Sequence, residues 1–305
     1  MNVFRLAVMS LAVSLSASAL ADLASITEMF PDLKPVVEYD AVNWNGSAIP
    51  NSGSANTGPQ VGGSKVLDPS RWSGFGVTSE ADFGAPVHVS DDGRSYMSFK
   101  TYGHMYSESS ALMTRNVFNA SVGYTLVGYY RFTENFRTFQ DAGIGTSFKG
   151  NENSLIDVGW NGSGRKSVTR MTGPGGAMRT DDISGILPED GWFQIVKTFD
   201  VATGTVCFYI NGKCELSTTL ALDVSAGVDF NEYVRLGDIG IFESGGFVEH
   251  HQLKGLDYGY FAVYNRVLSA DEVRDSYVYI VGVPEPATMS LLALGGLAVL
   301  RRRSR

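Results

Sequence analysis

The sequence predicts an all-β fold, an antiparallel sandwich closed by one short helix. Three observations carry the prediction. Beyond Ser95, short apolar and aromatic runs alternate with turn residues at fairly regular intervals. The 305 residues include 35 Gly, 17 Phe and 14 Tyr, the composition of a turn-rich β protein with an aromatic core. Within Trp192 to Phe199 the side chains alternate, with Phe193, Ile195 and Phe199 on one face and Gln194 and Thr198 on the other, the period of a half-buried strand.

Residues 1–21 read as a secretory signal. A short n-region with Arg5 precedes the apolar run Leu6 to Leu15, and Ala19-Leu20-Ala21 fits an A-x-A cleavage site, which places the cut after Ala21. The apolar run is shorter than the ~20 residues of a membrane span. Export through Sec-type machinery and cleavage by signal peptidase follow as expectations.

Residues 22–35 form a leader, and 36–280 a single sandwich domain without an internal repeat. Asn43 to Gly63, rich in Gly, Ser, Asn and Pro, is expected as loop or weakly paired edge. The clearest strands are Gly123 to Phe132, Trp192 to Phe199, Thr205 to Ile210, Val234 to Phe242 and Asp257 to Tyr264. Asn211-Gly212 closes a hairpin, because both residues tolerate the positive φ of a type I′ turn. Ser269-Ala270-Asp271-Glu272 is a capping box that opens a helix from about Ala270 to Tyr277.

The C-terminus has three parts: Val283-Pro284-Glu285-Pro286, an apolar segment to Leu300, and the basic cluster Arg301, Arg302, Arg303 and Arg305. Taken as a helix, Ala287 to Leu300 is roughly 21 Å long, short of the ~30 Å hydrocarbon core, so it makes a marginal span. The arginines favour the cytoplasmic side, and Pro284 and Pro286 keep the preceding stretch extended and open to a protease. In order and composition, residues 283–305 resemble the PEP-CTERM sorting signal. That resemblance implies an exosortase, a membrane protease-transpeptidase, as partner, with Pro284, Glu285, Pro286, Arg301, Arg302 and Arg303 as the sorting motif. It also implies transient membrane insertion through the tail, then residence at the cell surface or in the extracellular matrix. An uncut single-pass anchor predicts the same topology.

Two segments resemble the laminin-G-like (LamG, concanavalin A-like) jelly-roll family. One is Gly191-Trp192-Phe193 through Thr198-Phe199-Asp200, continued by Thr203 to Lys213 with its Asn211-Gly212 ending. The other runs from Lys254 through Tyr264-Asn265-Arg266 and Leu268-Ser269 to Glu272. The resemblance implies an antiparallel jelly roll.

Catalysis is not expected. Relatives of that fold include glycanases with two Glu and one Asp on a single strand, spaced so that alternate residues line one cleft, and the pattern is absent here. Glu134, Glu152, Asp181, Asp182, Asp238 and Glu243 are scattered, which predicts solvated loop residues. His88, His104, His250 and His251 lack ligand spacing and read as surface residues. Calcium is a candidate cofactor by analogy with exported jelly rolls, and Asp181-Asp182, Asp223 and Asp229 fall in expected loops, but no ligand set follows.

Cys207 and Cys214 are the only cysteines, and an oxidising compartment favours a bridge. With a regular two-residue turn, Cys207 faces Leu216 and Cys214 faces Tyr209. The two thiols then lie diagonally on one face with Cα atoms roughly 7–8 Å apart, at the limit of bridging geometry, so bridged and free states both stand. Trp44, Trp72, Trp160 and the Tyr129-Tyr130 pair are candidate sugar-stacking aromatics, with core packing the competing expectation for each. Asn45, Asn119 and Asn161 each open an N-x-S triplet, which chance supplies.

Net charge is −8, but Arg5, Arg301, Arg302, Arg303 and Arg305 all lie at the ends. Setting those five aside leaves 19 basic against 32 acidic residues, a balance of −13 that disfavours nucleic acid as a partner. The expected function is that of an exported surface or matrix protein with a non-catalytic module, binding extracellular polysaccharide. A carbohydrate-active enzyme with an atypical site and a purely structural surface protein are the alternatives.

Overall fold

The structure is a computed structural model. It describes residues 34–54, 59–63, 81, 83–91, 94–107, 122–139, 142–146, 153–158, 164–170, 178–220, 234–236, 241–243, 246–248 and 252–281. The expected signal sequence and the sorting tail therefore lie outside the described residues. Residues 35–273 form one compact unit; a second unit takes in 1–34 and 274–305.

The strands are β1 (Val37–Asp40), β2 (Ala48–Ile49), β3 (Gln60–Gly63), β4 (Val87–Asp91), β5 (Arg94–Ser98), β6 (His104–Ser107), β7 (Gly123–Phe139), β8 (Ala142–Thr146) and β9 (Asn153–Val158), followed by β10 (Arg165–Arg170), β11 (Met178–Asp182), β12 (Trp192–Asp200), β13 (Thr205–Ile210), β14 (Lys213–Thr219), β15 (Val234–Leu236), β16 (Ile241–Glu243), β17 (Gly246–Val248) and β18 (Gln252–Tyr264). One α-helix, α1 (Ala270–Val281), follows them.

The strands form two large antiparallel sheets. The first runs β14-β13-β12-β7-β18-β5-β4, with β1 also paired to β18. The second runs β11-β10-β9-β8-β15-β6-β3-β2, and β16 and β17 make a separate ribbon. The core lies between the two large sheets: Leu126, Tyr130, Phe193, Ile195, Phe199, Phe208 and Phe261 from the first pack with Ile49, Leu155 and Ile156 from the second. Among the described residues the result is a sandwich with one helix after its last strand, in keeping with the expected all-β sandwich.

Local chemistry explains the joints. Asn211 has φ 51° and Gly212 φ 77°, the left-handed pair that a type I′ turn requires. The Asn211 side chain also accepts a bond from the Gln194 backbone N–H at 2.9 Å, tying the turn to β12. At the helix start the Ser269 N–H donates to Glu272 (2.8 Å) and the Glu272 N–H to the Ser269 hydroxyl (3.3 Å), the reciprocal capping box.

Several expectations change. Strand β12 is buried on both faces, not one, because it is an interior strand and the chain leaving β18 crosses the outer face beside it. There the Thr125 hydroxyl donates to the Arg266 carbonyl and accepts from the Leu268 N–H. Of the strand expected over Val234 to Phe242, the described ends are β15 and β16, which belong to different sheets. Asp181 and Asp182 end β11 rather than sitting in a loop. Asp181 is buried and ion-paired to Arg179 at 2.7 Å, so it is not a solvated carboxylate.

The same alternation that places Phe193 and Ile195 inward also carries Lys197 into the interior, fully buried, its Nζ 5.7 Å from the Tyr124 ring centroid. Burial pushes its ammonium down to about 7, with the Asp181 charge opposing.

Candidate functional site

The outer face of the first sheet carries a polar and aromatic cluster assembled from four strands. Its members are set by the period of two: Tyr129 and Arg131 on β7 point outward, while Tyr130 between them points into the core, its ring centroid 6.0 Å from that of Tyr258. Of the Tyr129-Tyr130 pair, only Tyr129 thus belongs to the surface cluster. On β12, Trp192 is the register partner of Arg131 and points outward at the strand's first position. On β5, Tyr96 and Arg94 share that face, and Asp257 on β18 completes it.

Trp192 is the centre. Its ring stacks on Tyr129 with centroids 5.0 Å apart and planes 16° apart, and Tyr96 meets it edge-on at 5.4 Å. The Arg131 guanidinium lies 5.0 Å from the Trp192 ring centroid and 5.3 Å from that of Tyr96. Such cation–π contacts hold a guanidinium without an anion. Here an anion is present as well: Arg131 Nε and Nη2 both donate to Asp257 Oδ2, at 2.8 and 2.5 Å. Burial lowers the guanidinium's proton affinity, and Asp257 and Tyr96 more than offset it, so the net direction is up. Arg94 Nη1 donates to the Tyr129 hydroxyl.

Between these groups lies an open depression of about 180 Å³ lined by Asp91, Arg94, Tyr96, Arg131 and Trp192. Its walls combine aromatic surface with hydrogen-bond donors and acceptors held on a sheet. That composition suits a hydroxyl-rich ligand. Sequence reading missed Asp91, Arg94, Tyr96, Arg131 and Trp192 as a group, because the β4–β5 hairpin, β7 and β12 that carry them are far apart in the chain and no local spacing unites them. Trp192 was legible only as the start of a strand.

The other candidates fall elsewhere. Trp44 is half-buried against the core and stacks with His88 at 6.2 Å, so His88 is not simply a surface residue. Asn45 caps its own turn, accepting bonds from Ser47 and from the Ala48 N–H. Asp182 is exposed and accepts from the Ser184 N–H, which pulls its carboxyl below the usual range. Glu134, Glu243 and His104 lie on strands, but their side chains are outside the described residues. Glu152, Trp72, Trp160, Asn119, Asn161, Asp223, Asp229, Asp238, His250 and His251 lie wholly outside them, as do Ala19, Ala21 and the sorting-motif residues. Among the described residues, no three His, Cys, Asp or Glu side chains come together as metal ligands, and no helix is long and apolar enough to cross a membrane.

Cys207 and Cys214 are free thiols. A β-bulge after Phe208 shifts the register, so that Cys207 faces Ser217 rather than the expected Leu216, while Cys214 does face Tyr209.

The fold resembles solved β structures at low identity. The receptor binding domain of botulinum neurotoxin C/D mosaic serotype superposes with a TM-score of 0.50 at 12% identity, over 80% of this chain and 51% of that one. The botulinum neurotoxin serotype D ligand binding domain, in complex with N-acetylneuraminic acid, gives 0.47 at 12%, over 83% and 52%. The chain thus spans about half the length of the solved structures it matches, and at this identity the likeness concerns fold alone. No curated protein matches the chain in sequence. Residues 282–304 match the family model of the PEP-CTERM protein-sorting motif, and that motif marks the chain as exported and sorted to the cell surface through its C-terminal segment.

Proposed function

We propose that this chain is an exosortase-processed surface or matrix protein whose sandwich, a LamG-like jelly roll, binds extracellular polysaccharide without catalysis. The signal sequence of residues 1–21, cut after Ala21, delivers it across the membrane. The tail holds it there until the exosortase acts at Pro284-Glu285-Pro286.

The observation that carries the binding reading is the depression beside Trp192, where aromatic rings and the donors of Arg94 and Arg131 converge on one open face. Exported function and a surface address come from the tail. The fold likeness to a protein described as a receptor binding domain is in keeping with a binding role rather than a catalytic one. Calcium is read as belonging to a loop rather than to this depression, where Asp91 is the one lining carboxylate among the described residues.

Calorimetric titration of the purified chain with polysaccharides, including that of the producing cell's own matrix, tests the reading, first in calcium and then in chelator. Saturable heat that is lost in Trp192→Ala is the expected result. Absence of heat with every polysaccharide leaves a purely structural surface protein, and sugar release into solution would make it an enzyme.

A further inference from the structure

We propose that the depression takes an uncharged glycan and not a polyuronate or other polyanion; this rests on the polysaccharide-binding reading above. The two arginines suggest an anion site at first sight, but their charges are answered within the cluster. Arg131 is ion-paired to Asp257, which is 3% exposed. Arg94 is the register partner of Asp91 across the β4–β5 hairpin, and both line the depression. Among the described residues of the cluster and the depression, two cations and two carboxylates leave no net positive charge, while the body around them carries a balance of −13. An approaching polyanion meets repulsion at long range and no surplus cation at contact.

The paired groups remain strong directional hydrogen-bond partners. Guanidinium N–H groups in a fixed plane, the Asp91 carboxylate and the Tyr96 hydroxyl, all lining the depression, match the adjacent donor and acceptor hydroxyls of a neutral sugar ring. Neutral-sugar binding of this kind depends little on salt, because no counterions are released.

The test is titration of the full chain with dextran and galactomannan as neutral probes, and with alginate and polygalacturonate as uronate probes, at low and at high salt. Saturable heat with a neutral probe, unchanged by salt and weakened about tenfold in Arg94→Ala by loss of one charged hydrogen bond, is expected. Arg94 is exposed, so the variant keeps its fold, which an unchanged melting temperature checks. Binding of the uronate probes alone, fading with salt, overturns this proposal and leaves the polysaccharide reading standing. Silence with all four probes overturns this proposal, and silence also with the producing cell's own matrix polysaccharide removes the polysaccharide reading with it.

A different observation supports a second proposal. We infer that Cys207 and Cys214 form a disulfide once the chain is exported. Both lie on the solvent side of the β13–β14 hairpin, and β14 is the edge strand of its sheet. The bulge leaves Glu215 unmatched between Leu216, opposite Phe208, and Cys214, opposite Tyr209. Cys214 lies opposite Tyr209, two residues along β13 from Cys207, so the two thiols sit diagonally on one face of the hairpin; burial pushes the Cys214 thiol up, and the Cys207 side chain adds to that direction. In the exchange, one thiolate attacks the disulfide of an oxidant, a protein or small-molecule disulfide. The second thiolate then displaces it, so two protons and two electrons leave the pair and the oxidant departs as two thiols.

Intact-mass measurement of the full chain, after incubation with oxidised glutathione and then iodoacetamide, decides the matter. A mass short by two hydrogens without alkylation, restored by dithiothreitol and absent in Cys214→Ser, is expected. Alkylation of both cysteines, or a stable glutathione adduct on either, overturns it.

Discussion

Trp192 lies flat on Tyr129, and Gly259 on the strand β18 makes the room for it. A Cβ added at Gly259 would stand 3.0 Å from Tyr129 Cδ1 and 3.4 Å from Trp192 Cζ3, closer than most such contacts. Gly259→Ala is therefore expected to tilt the stack while the fold survives. Near-UV circular dichroism should lose intensity in the tryptophan region, and the melting temperature should fall by only a few degrees, in line with an overpacking cost of about 1 kcal/mol. An unaltered aromatic spectrum would show that the stack is not confined by this contact.

Lys197 gives a second prediction. Burial holds its folded-state ammonium near 7, whereas an unfolded lysine keeps its proton to about 10.5. Between those values the unfolded chain binds the extra proton, so raising the pH stabilises the fold. Below pH 7 both states are protonated and the full cost of burying the charge remains. Lys197→Met should stabilise the protein by about 1–4 kcal/mol near neutrality, and less at pH 9. Urea unfolding of both proteins at pH 7 and pH 9 checks it; a gain that does not shrink with pH would exclude lysine titration as its cause.

The sequence signals that proved legible were local ones. The Asn211-Gly212 turn needs two left-handed residues in a row, and few pairs supply them. The Ser269 to Glu272 cap spans one helical turn, so its partners are three residues apart in the text. The cluster around Trp192 was not legible, because Arg94, Arg131, Trp192 and Asp257 meet only through strand register, which pairs Trp192 with Arg131 and Asp257 with the same arginine. Lys197 shows the opposite failure. Its alternation with Phe193 and Ile195 placed it inward all along, but a lysine at an inward position reads as an exception until the Tyr124 ring and Asp181 are found beside it.

The helix cap should be pH-sensitive in acid. Hydrogen bonding from Arg266 is the main influence that pulls Glu272 down to about 2, from an ordinary 4.5. Its contribution to stability is complete above pH 4.5 and is lost as pH falls from there toward 2. Ser269→Ala, which removes the hydroxyl facing the Glu272 N–H, should cost about 1 kcal/mol at pH 7. Glu272→Gln should flatten the acid limb of the stability curve between pH 4.5 and 2. Thermal unfolding across that range measures both, and an unchanged acid limb in Glu272→Gln would assign the acid sensitivity to other carboxylates.

Tyr130 turns its ring back over Gly128, and the two make one packing unit. A Cβ on Gly128 would lie 2.1 Å from Tyr130 Cε2 and 2.5 Å from its hydroxyl oxygen, an overlap that forces the ring to move within a filled core. Gly128→Ala should cost about 1–3 kcal/mol. The Tyr130 hydroxyl is itself buried, and no hydrogen-bond partner for it stands among the described residues; burial accordingly pushes the phenol well up. Tyr130→Phe should then be neutral or stabilising by roughly 1 kcal/mol, unlike the usual loss on deleting a hydroxyl, because no bond is broken and a desolvated polar atom is removed. In a Tyr130→Ala background the cost of Gly128→Ala should nearly vanish, since the ring it strikes is gone. A double-mutant cycle by urea unfolding measures this coupling. Additive costs would mean that the methyl added at position 128 meets backbone rather than the Tyr130 ring.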